Sequence, residues 1–593
     1  MSRSPKPPLP TQTLQRLTQS AFYQRSNPLI QSTFYGPNLE FYMEAPDLGV
    51  ECHMAAPGML RLPASPPSDE EQWQYYHGLP SRPKLVARSS LDPWQPQRGW
   101  WPTCKMLSPV GKHIIADLWN ESNGPLRRDI IQALEGVKWT AIDILRIGID
   151  GDSVSDDETD TPEHAITFFI SVVPNSTSFQ QGFPVVMQCR QILQRHGIDD
   201  IHCEMKESDV FRCASETAPQ TAPKLLTEAV HPDLTEDHMA MASVYLGASI
   251  GPSDRRSRQG TKGLYLLQKD TGAILALTCR HVVFGDTFPN EEYRYQQNEA
   301  APRRTVLQPT DETLEDMKQY VPLKSRVARE CIDAIQRTKK SDETKHREIM
   351  QHEAALKSFQ QWQKILDDLT DPAMRIIGHV IFSPAFGLGK SVSGEPRLRD
   401  WALIEIHPGK HEQALDLLHN EIMVNRSGYE KLLGVQSREA PDITVSLGGR
   451  IVANNTVRLQ GTISEEEMKC PNTWDHTNEP TIMVAKFGAT SFLTVGFANT
   501  VKSLTRTPLP HLEVISEEWC IIGRKNEKGH GREAFSFEGD SGACVWDVQG
   551  RIGGIMAAGG GHRDMGAHDV TYATPIEWLL DDIKGHGFDV ELL

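Results

Sequence analysis

From residue 263 onward the chain is written in short apolar runs separated by turn formers, a pattern that constrains this half to a β-rich fold. Gly263-Leu264-Tyr265-Leu266-Leu267 and Ala273-Ile274-Leu275-Ala276-Leu277 flank Lys269-Asp270-Thr271-Gly272. Two runs of strand length joined by a short turn that closes on glycine predict a hairpin. The strand pattern breaks between about 310 and 371, where a charged segment carries Leu356, Phe359, Gln363, Leu366 and Leu369 at helical spacing. Four of those five positions are apolar, which predicts a helical hairpin inserted in a loop of the β domain. Strand patterns resume at Arg375–Ser383 and run to a last amphipathic helix near Ile576–Ile583.

Upstream the texture differs. The first 110 residues are rich in Pro, Tyr and Trp with weak periodicity, as in Trp100-Trp101-Pro102, and read as an irregular extension. Pro125–Glu135 reads as a helix with proline in its first turn, followed by a β-branched strand, Ile142–Ile149. After an acidic loop, Asp150–Glu163, come an apolar strand, Ile166–Val173, a helix near Gln181–His196 and a strand, Ile201–Glu207. That is a small α/β domain, 111–214. A Pro-, Thr- and Ala-rich stretch marks a linker, 215–240, and the β domain follows as 241–593.

Several function classes are excluded by composition. At 593 residues the chain exceeds one hydrophobic core, and a net charge of −17 argues against holding nucleic acid by phosphate neutralisation. No apolar run approaches the ~20 residues of a membrane-crossing helix. Residues 1–19 lack the apolar core of a secretion signal. The ten cysteines show neither paired metal-site spacing nor a dense disulfide framework and read mostly as buried thiols. A cytoplasmic protein without membrane or nucleic-acid partners is expected.

Three local sequences carry chemistry, in the order His, Asp, Ser. In Leu277-Thr278-Cys279-Arg280-His281-Val282-Val283 an apolar strand runs into His281, placing the imidazole at a strand end. In Arg399-Asp400-Trp401-Ala402-Leu403-Ile404 an acid opens an apolar strand. In Gly539-Asp540-Ser541-Gly542 glycines flank a serine and permit a tight turn that aims successive N–H groups at one spot. Together they suit acyl transfer: Ser541 as nucleophile, His281 as base and then acid, Asp400 as the group orienting the imidazole. The N–H groups of Gly539 and Ser541 supply an oxyanion hole. This chemistry needs no metal or organic cofactor.

With Gly554-Ile555-Met556-Ala557-Ala558-Gly559 and Tyr572-Ala573-Thr574-Pro575 behind them, these motifs resemble the trypsin-like (chymotrypsin-fold) serine proteases over roughly Val244–Leu593. Lys486-Phe487-Gly488-Ala489-Thr490-Ser491-Phe492 and Arg399-Asp400-Trp401-Ala402 resemble intracellular fungal members. The resemblance implies a C-terminal double β-barrel and a serine endopeptidase acting on protein or peptide substrates through an acyl-enzyme. It implies that Ala557, Ala558 and Gly559 pair with the substrate backbone, and that Phe535, Gly559 and Val570 wall an apolar or uncharged specificity pocket. His562, Arg563 and His568 lie nearby and would instead favour an acidic side chain. The family's disulfide beside the histidine is missing, as suits a reducing compartment. Secreted relatives activate when a freed N-terminal amine pairs with the acid preceding the nucleophile. Here that acid is Asp540, and Arg255-Arg256-Ser257-Arg258 is the candidate cleavage stretch; an internal donor to Asp540 is the alternative. A catalytically inactive protease-fold binding or signalling protein is the competing class. The α/β domain and the helical insertion are the candidate partner surfaces.

Overall fold

Aliphatic and β-branched residues in Trp139-Thr140-Ala141-Ile142-Asp143-Ile144-Leu145 and Ile166-Thr167-Phe168-Phe169-Ile170 form long strands because a pleated surface accommodates their stiff side chains. The computed structural model describes residues 66–98, 101–150, 164–212, 234–285, 288–296, 303–390, 395–409, 415–445, 447, 451–452, 456–509, 512–527, 530–562 and 565–593. Residues 215–233 of the linker read over 215–240, and 151–163 of the acidic loop Asp150–Glu163, lie outside these residues, while Leu234–Met241 is helical.

The N-terminal elements are β1 (Lys84–Arg88), α1 (Pro125–Ala133), β2 (Trp139–Ile149), β3 (Ala165–Val172), α2 (Phe179–Arg195) and β4 (His202–Glu207). Strands β3 and β4 are parallel and joined through α2, while β1 and β2 flank them antiparallel. Helix α2 starts at Ser178, whose N–H donates to the Gln181 side chain at 3.0 Å, closing a capping box. Its Phe183, Val186, Cys189 and Leu193 pack on Ile142, Ile144, Phe168 and Ile170 of the sheet. The span read as an irregular extension thus contributes β1 to this sheet, and Tyr75 and Tyr76 are buried with their hydroxyls on Glu204, 2.6 and 2.7 Å away. Aromatic content masked the weaker strand signal there. One residue after β4 comes a short strand, β5 (Asp209–Phe211).

A second sheet is built around β6 (Leu264–Gln268), β7 (Ile274–Thr278), β8 (Ile376–Ser383) and β9 (Ala402–Ile406), ordered β8-β9-β7-β6 and antiparallel throughout. Between β7 and β8 lie α3 (Arg280–Phe284), α4 (Asp311–Arg337) and α5 (Asp342–Asp368). Thr310 and Ser341 cap α4 and α5. Phe359 and Leu366 of α5 join the same buried cluster as β6–β9, so the stripe read from sequence packs on its own domain.

The rest of the chain forms β10 (Ile482–Gly488), β11 (Phe492–Ala498), β12 (Ser503–Leu509), β13 (Leu512–Gly523), β14 (Cys544–Asp547), β15 (Ile552–Gly561), β16 (Val570–Pro575) and α6 (Ile576–Gly585). Six of these strands pair in a closed ring, β13-β11-β10-β14-β15-β16 and back to β13. Closure removes exposed strand edges. Strand β12 leaves the ring and pairs with β2, Leu504 opposite Ile142, so the N-terminal sheet continues into the C-terminal one.

That seam is polar and fully engaged. The Asp143 carboxylate accepts from Ser503 Oγ at 2.6 Å and from the Tyr572 hydroxyl at 3.1 Å, and Asp569 accepts from the Ser81 N–H and Oγ at 2.7 and 2.6 Å. Glu517 pairs with both Arg127 and Lys502, and Lys502 also meets Glu395 at 2.5 Å. Breaking one member of such a buried set costs about 3–5 kcal/mol. Pro63–Leu593 accordingly forms one compact unit. Among the described residues no helix is long and apolar enough to cross a membrane. The eight described cysteines all carry free thiols, six of them buried.

Candidate active site

Strand β7 ends at Thr278, and His281 lies in the following one-turn helix α3 rather than at the strand end expected from sequence. The reason is Asp400. Its Oδ1 accepts the His281 backbone N–H at 3.1 Å and its Oδ2 lies 2.6 Å from His281 Nδ1, so one carboxylate fixes main chain and ring together. From the other side Arg258 Nη1 donates to the His281 carbonyl at 2.5 Å. His281 is 1% exposed and Asp400 5%, so this pair lies in a dry site where its hydrogen bond is strong.

Burial alone would raise the Asp400 carboxyl, but the charge and hydrogen bonds of His281, with Arg212 beyond, hold it below the usual carboxylate range. An ionised carboxylate only accepts, so His281 Nδ1 donates its N–H to Asp400. Nε2 is buried and has no hydrogen-bond partner among the described residues. Asp400 itself is held between two tethered neighbours. Arg399 Nε and Trp401 Nε1 both reach Asp582 of α6, at 3.0 and 2.9 Å.

Ser541 sits in a turn that only its glycines allow. Gly539 has φ +96° and Gly542 φ +94°. A Cβ at Gly539 would lie 2.2 Å from Thr490 Oγ1, and one at Gly542 2.3 Å from the Thr261 carbonyl. Thr261 braces the turn: its N–H donates to the Ser541 carbonyl at 2.8 Å and its hydroxyl to the Gly539 carbonyl at 3.1 Å. With that carbonyl turned towards Thr261, the Gly539 N–H makes no hydrogen bond among the described residues. Ser541 Oγ donates to the Ala557 carbonyl at 3.3 Å, and Cys279 Sγ to the neighbouring Met556 carbonyl at 3.2 Å. The serine turn and the histidine segment therefore hang on consecutive carbonyls of β15. The structure joins His281 to Asp400 directly, whereas Ser541 Oγ is bonded to the Ala557 carbonyl and makes no hydrogen bond to His281 Nε2.

Asp540 is fully buried and saturated from within the chain. Its Oδ1 accepts the N–H groups of Thr490 and Ser491, both at 3.0 Å, and its Oδ2 accepts Ser491 Oγ at 2.6 Å and the Phe537 N–H at 3.0 Å. Lys486 Nζ, also fully buried, lies 3.0 Å from Oδ2. Burial pushes the Asp540 carboxyl up, yet the Lys486 ammonium and these hydrogen bonds hold it below the ordinary carboxylate value. The sequence offers an internal donor as the alternative without naming it, although Lys486, Thr490 and Ser491 stand in the quoted stretch. A lysine inside the apolar run Ile482–Gly488 was the available signal. In the stretch read as a cleavage candidate, Arg258 is 1% exposed and anchors the histidine.

The residues expected to shape a pocket are placed less uniformly. Phe535 is 1% exposed and packs inward with Ala543, Met556 and Ala573. Ala557, Ala558 and Gly559 lie on β15, and Val570 pairs with Gly560 across to β16. Beside them is a polar group that sequence reading did not assemble: Ser536 Oγ lies 2.8 Å from His568 Nδ1 and 2.6 Å from Thr571 Oγ1. The His568 ring covers Gly559, where a Cβ would come within 2.2 Å of it. Burial pushes His568 down to about 4, leaving a neutral imidazole at physiological pH. That removes the positive charge an acidic side chain would seek there. His562 is half-buried, and Arg563 lies outside the described residues.

Cys279, His281 and Asp400 bring one ligand-type atom each within 4.8 Å, a spacing a metal could use. A metal requires thiolate and a lone pair, whereas the Cys279 thiol donates to Met556 O and His281 Nδ1 is bound to Asp400. The present hydrogen bonds fit proton transfer better than ligation. No protein-family model matches the chain, and a search of the curated proteins finds no match.

Proposed function

We propose that this chain is a serine endopeptidase of the trypsin-like class, with the β6–β9 sheet and the closed ring as the two barrels of a chymotrypsin-like domain and a cytoplasmic site of action. The observation that carries the proposal is the buried Asp400–His281 contact of 2.6 Å, with Nε2 making no hydrogen bond among the described residues, in a chain whose Ser541 is held in a doubly glycine-flanked turn.

The chemistry follows atom by atom. His281 Nε2 takes the proton of Ser541 Oγ as that oxygen bonds to the substrate carbonyl carbon, and the carbonyl π pair moves onto oxygen. The N–H groups of Gly539 and Ser541 receive the developing oxyanion, each donor lowering the barrier by about 3–4 kcal/mol. When the C–N bond breaks, the imidazolium returns its proton to the leaving amine. Water then repeats the sequence on the acyl-enzyme. Asp400 stabilises the imidazolium and stays ionised. Because Lys486 already neutralises Asp540, the site needs no freed N-terminus, and the free thiols suit a reducing compartment.

A second reading, a protease-fold binding protein, is favoured by the complete burial of Ser541 and near-complete burial of His281. Hydrolysis separates the two. Incubation of the full chain with a denatured protein substrate is expected to release new α-amino groups, and Ser541→Ala is expected to abolish the release. Equal release by both chains, or none by either, would contradict the endopeptidase.

A further inference from the structure

Strand β14 pairs with β15 only as far as Ile555. Beyond that point β15 keeps β16 on one side and has its other edge available for a third partner. The structure fills part of that edge with the chain itself. Strand β5 runs antiparallel to β15 with Phe211 opposite Gly559, Val210 opposite Gly560 and Asp209 opposite Gly561. Each step along β5 moves its partner one residue nearer Ala557, whose carbonyl accepts from Ser541 Oγ.

We infer that Asp209–Arg212 is bound in cis where a substrate strand adds, so that the N-terminal α/β elements occlude the site and display the kind of peptide it accepts. This rests on the endopeptidase reading for its meaning, though not for its geometry.

Side chains support the register. The Phe211 ring stacks on the His568 ring, centroids 6.1 Å apart at 19°, and packs on the cluster containing Phe535, Met556 and Ala573. A neutral imidazole over Gly559 is a suitable partner for an aromatic face. Arg212 follows, its guanidinium 4.5 Å from the Phe386 ring centroid and close enough to lower Asp400. It thus lies on the side of the catalytic pair. The strand is presented rigidly, since only Ser208 separates it from β4. The Ser208 carbonyl accepts from Thr140 Oγ1 at 2.7 Å and its hydroxyl donates to the Gly561 carbonyl at 3.3 Å. Ser541 at 0% and His281 at 1% exposure are what an occupied cleft requires. Backbone pairing supplies affinity and the alternating side chains supply selectivity. A tethered strand also acts at an effective concentration of about millimolar, which a dilute substrate must outcompete. The favoured ligand is an extended peptide with an aromatic residue opposite Gly559 and a cationic residue after it.

Phe211→Ala and Arg212→Ala, each in the full chain, test this. Amide hydrogen exchange at Gly559–Gly561 should accelerate roughly 10-fold or more in each as the edge opens locally. A synthetic peptide spanning Glu207–Arg212 added to the variants should restore protection, and a scrambled peptide should not. Fluorophosphonate labelling of Ser541 should accelerate in parallel. Unchanged exchange at Gly559–Gly561 in both variants would overturn the inference. Accelerated exchange with no labelling of any chain would support the occupied edge and overturn the peptidase instead.

Discussion

Asp400→Asn is expected to lower kcat/KM by about 10^4, the loss such a swap causes when the imidazole is left in the wrong tautomer. The asparagine oxygen can still accept the His281 backbone N–H, which Asp400 Oδ1 now takes at 3.1 Å. Its NH2 group, however, replaces the acceptor 2.6 Å from Nδ1, so the ring must turn its lone pair towards it and carry the proton on Nε2. Nε2 then cannot take the serine proton. The measurement is steady-state peptide hydrolysis by the purified variant, with thermal unfolding followed alongside. A folded variant losing less than about 10-fold would remove Asp400 from the role of orienting group.

The second large effect belongs to Lys486→Met. The swap keeps an unbranched chain of similar length but removes the cation 3.0 Å from Asp540 Oδ2, at a position where both partners are fully buried. Leaving a buried carboxylate unpaired costs about 3–5 kcal/mol, measured as the loss in unfolding free energy in urea. The sign of the pH dependence should reverse as well. In the native chain Asp540 is held below its ordinary value, so its contribution is present above that value and lost as pH falls through the lower folded-state value. Without Lys486, burial dominates and raises the carboxyl, so stability falls as pH rises above the ordinary carboxylate value. Unfolding at pH 4 and pH 7 distinguishes the two. A variant as stable as the native chain at pH 7 would contradict the pairing. Ser541 reactivity should fall in parallel, because Thr490, Ser491 and Phe537 meet at Asp540 directly beside Ser541.

Local pattern made some of this legible and left the rest hidden for physical reasons. The strands β6 and β7, the helix pair α4 and α5 and the glycine-flanked serine are written in short-range periodicity and turn chemistry, and each was read near its observed place. The order His, Asp, Ser marked residues 119 apart in the case of His281 and Asp400 that share two hydrogen bonds. What could not be read were contacts set by tertiary pairing. Nothing local to Asp209–Phe211 says that it adds to β15 at Gly559–Gly561, far along the chain. The merging of β12 with β2 is equally non-local. Phe535 was assigned to a pocket wall by position, yet its side chain turns into the interior and its neighbour Ser536 reaches His568 and Thr571.

The most direct test of a catalytic Ser541 is covalent labelling by a fluorophosphonate, mapped by mass spectrometry, in the native chain and in Phe211→Ala. A single adduct on Ser541, faster in Phe211→Ala and lost in His281→Ala, is the expected result. No adduct on Ser541 in either chain, or an equal adduct in His281→Ala, would contradict a histidine-activated serine.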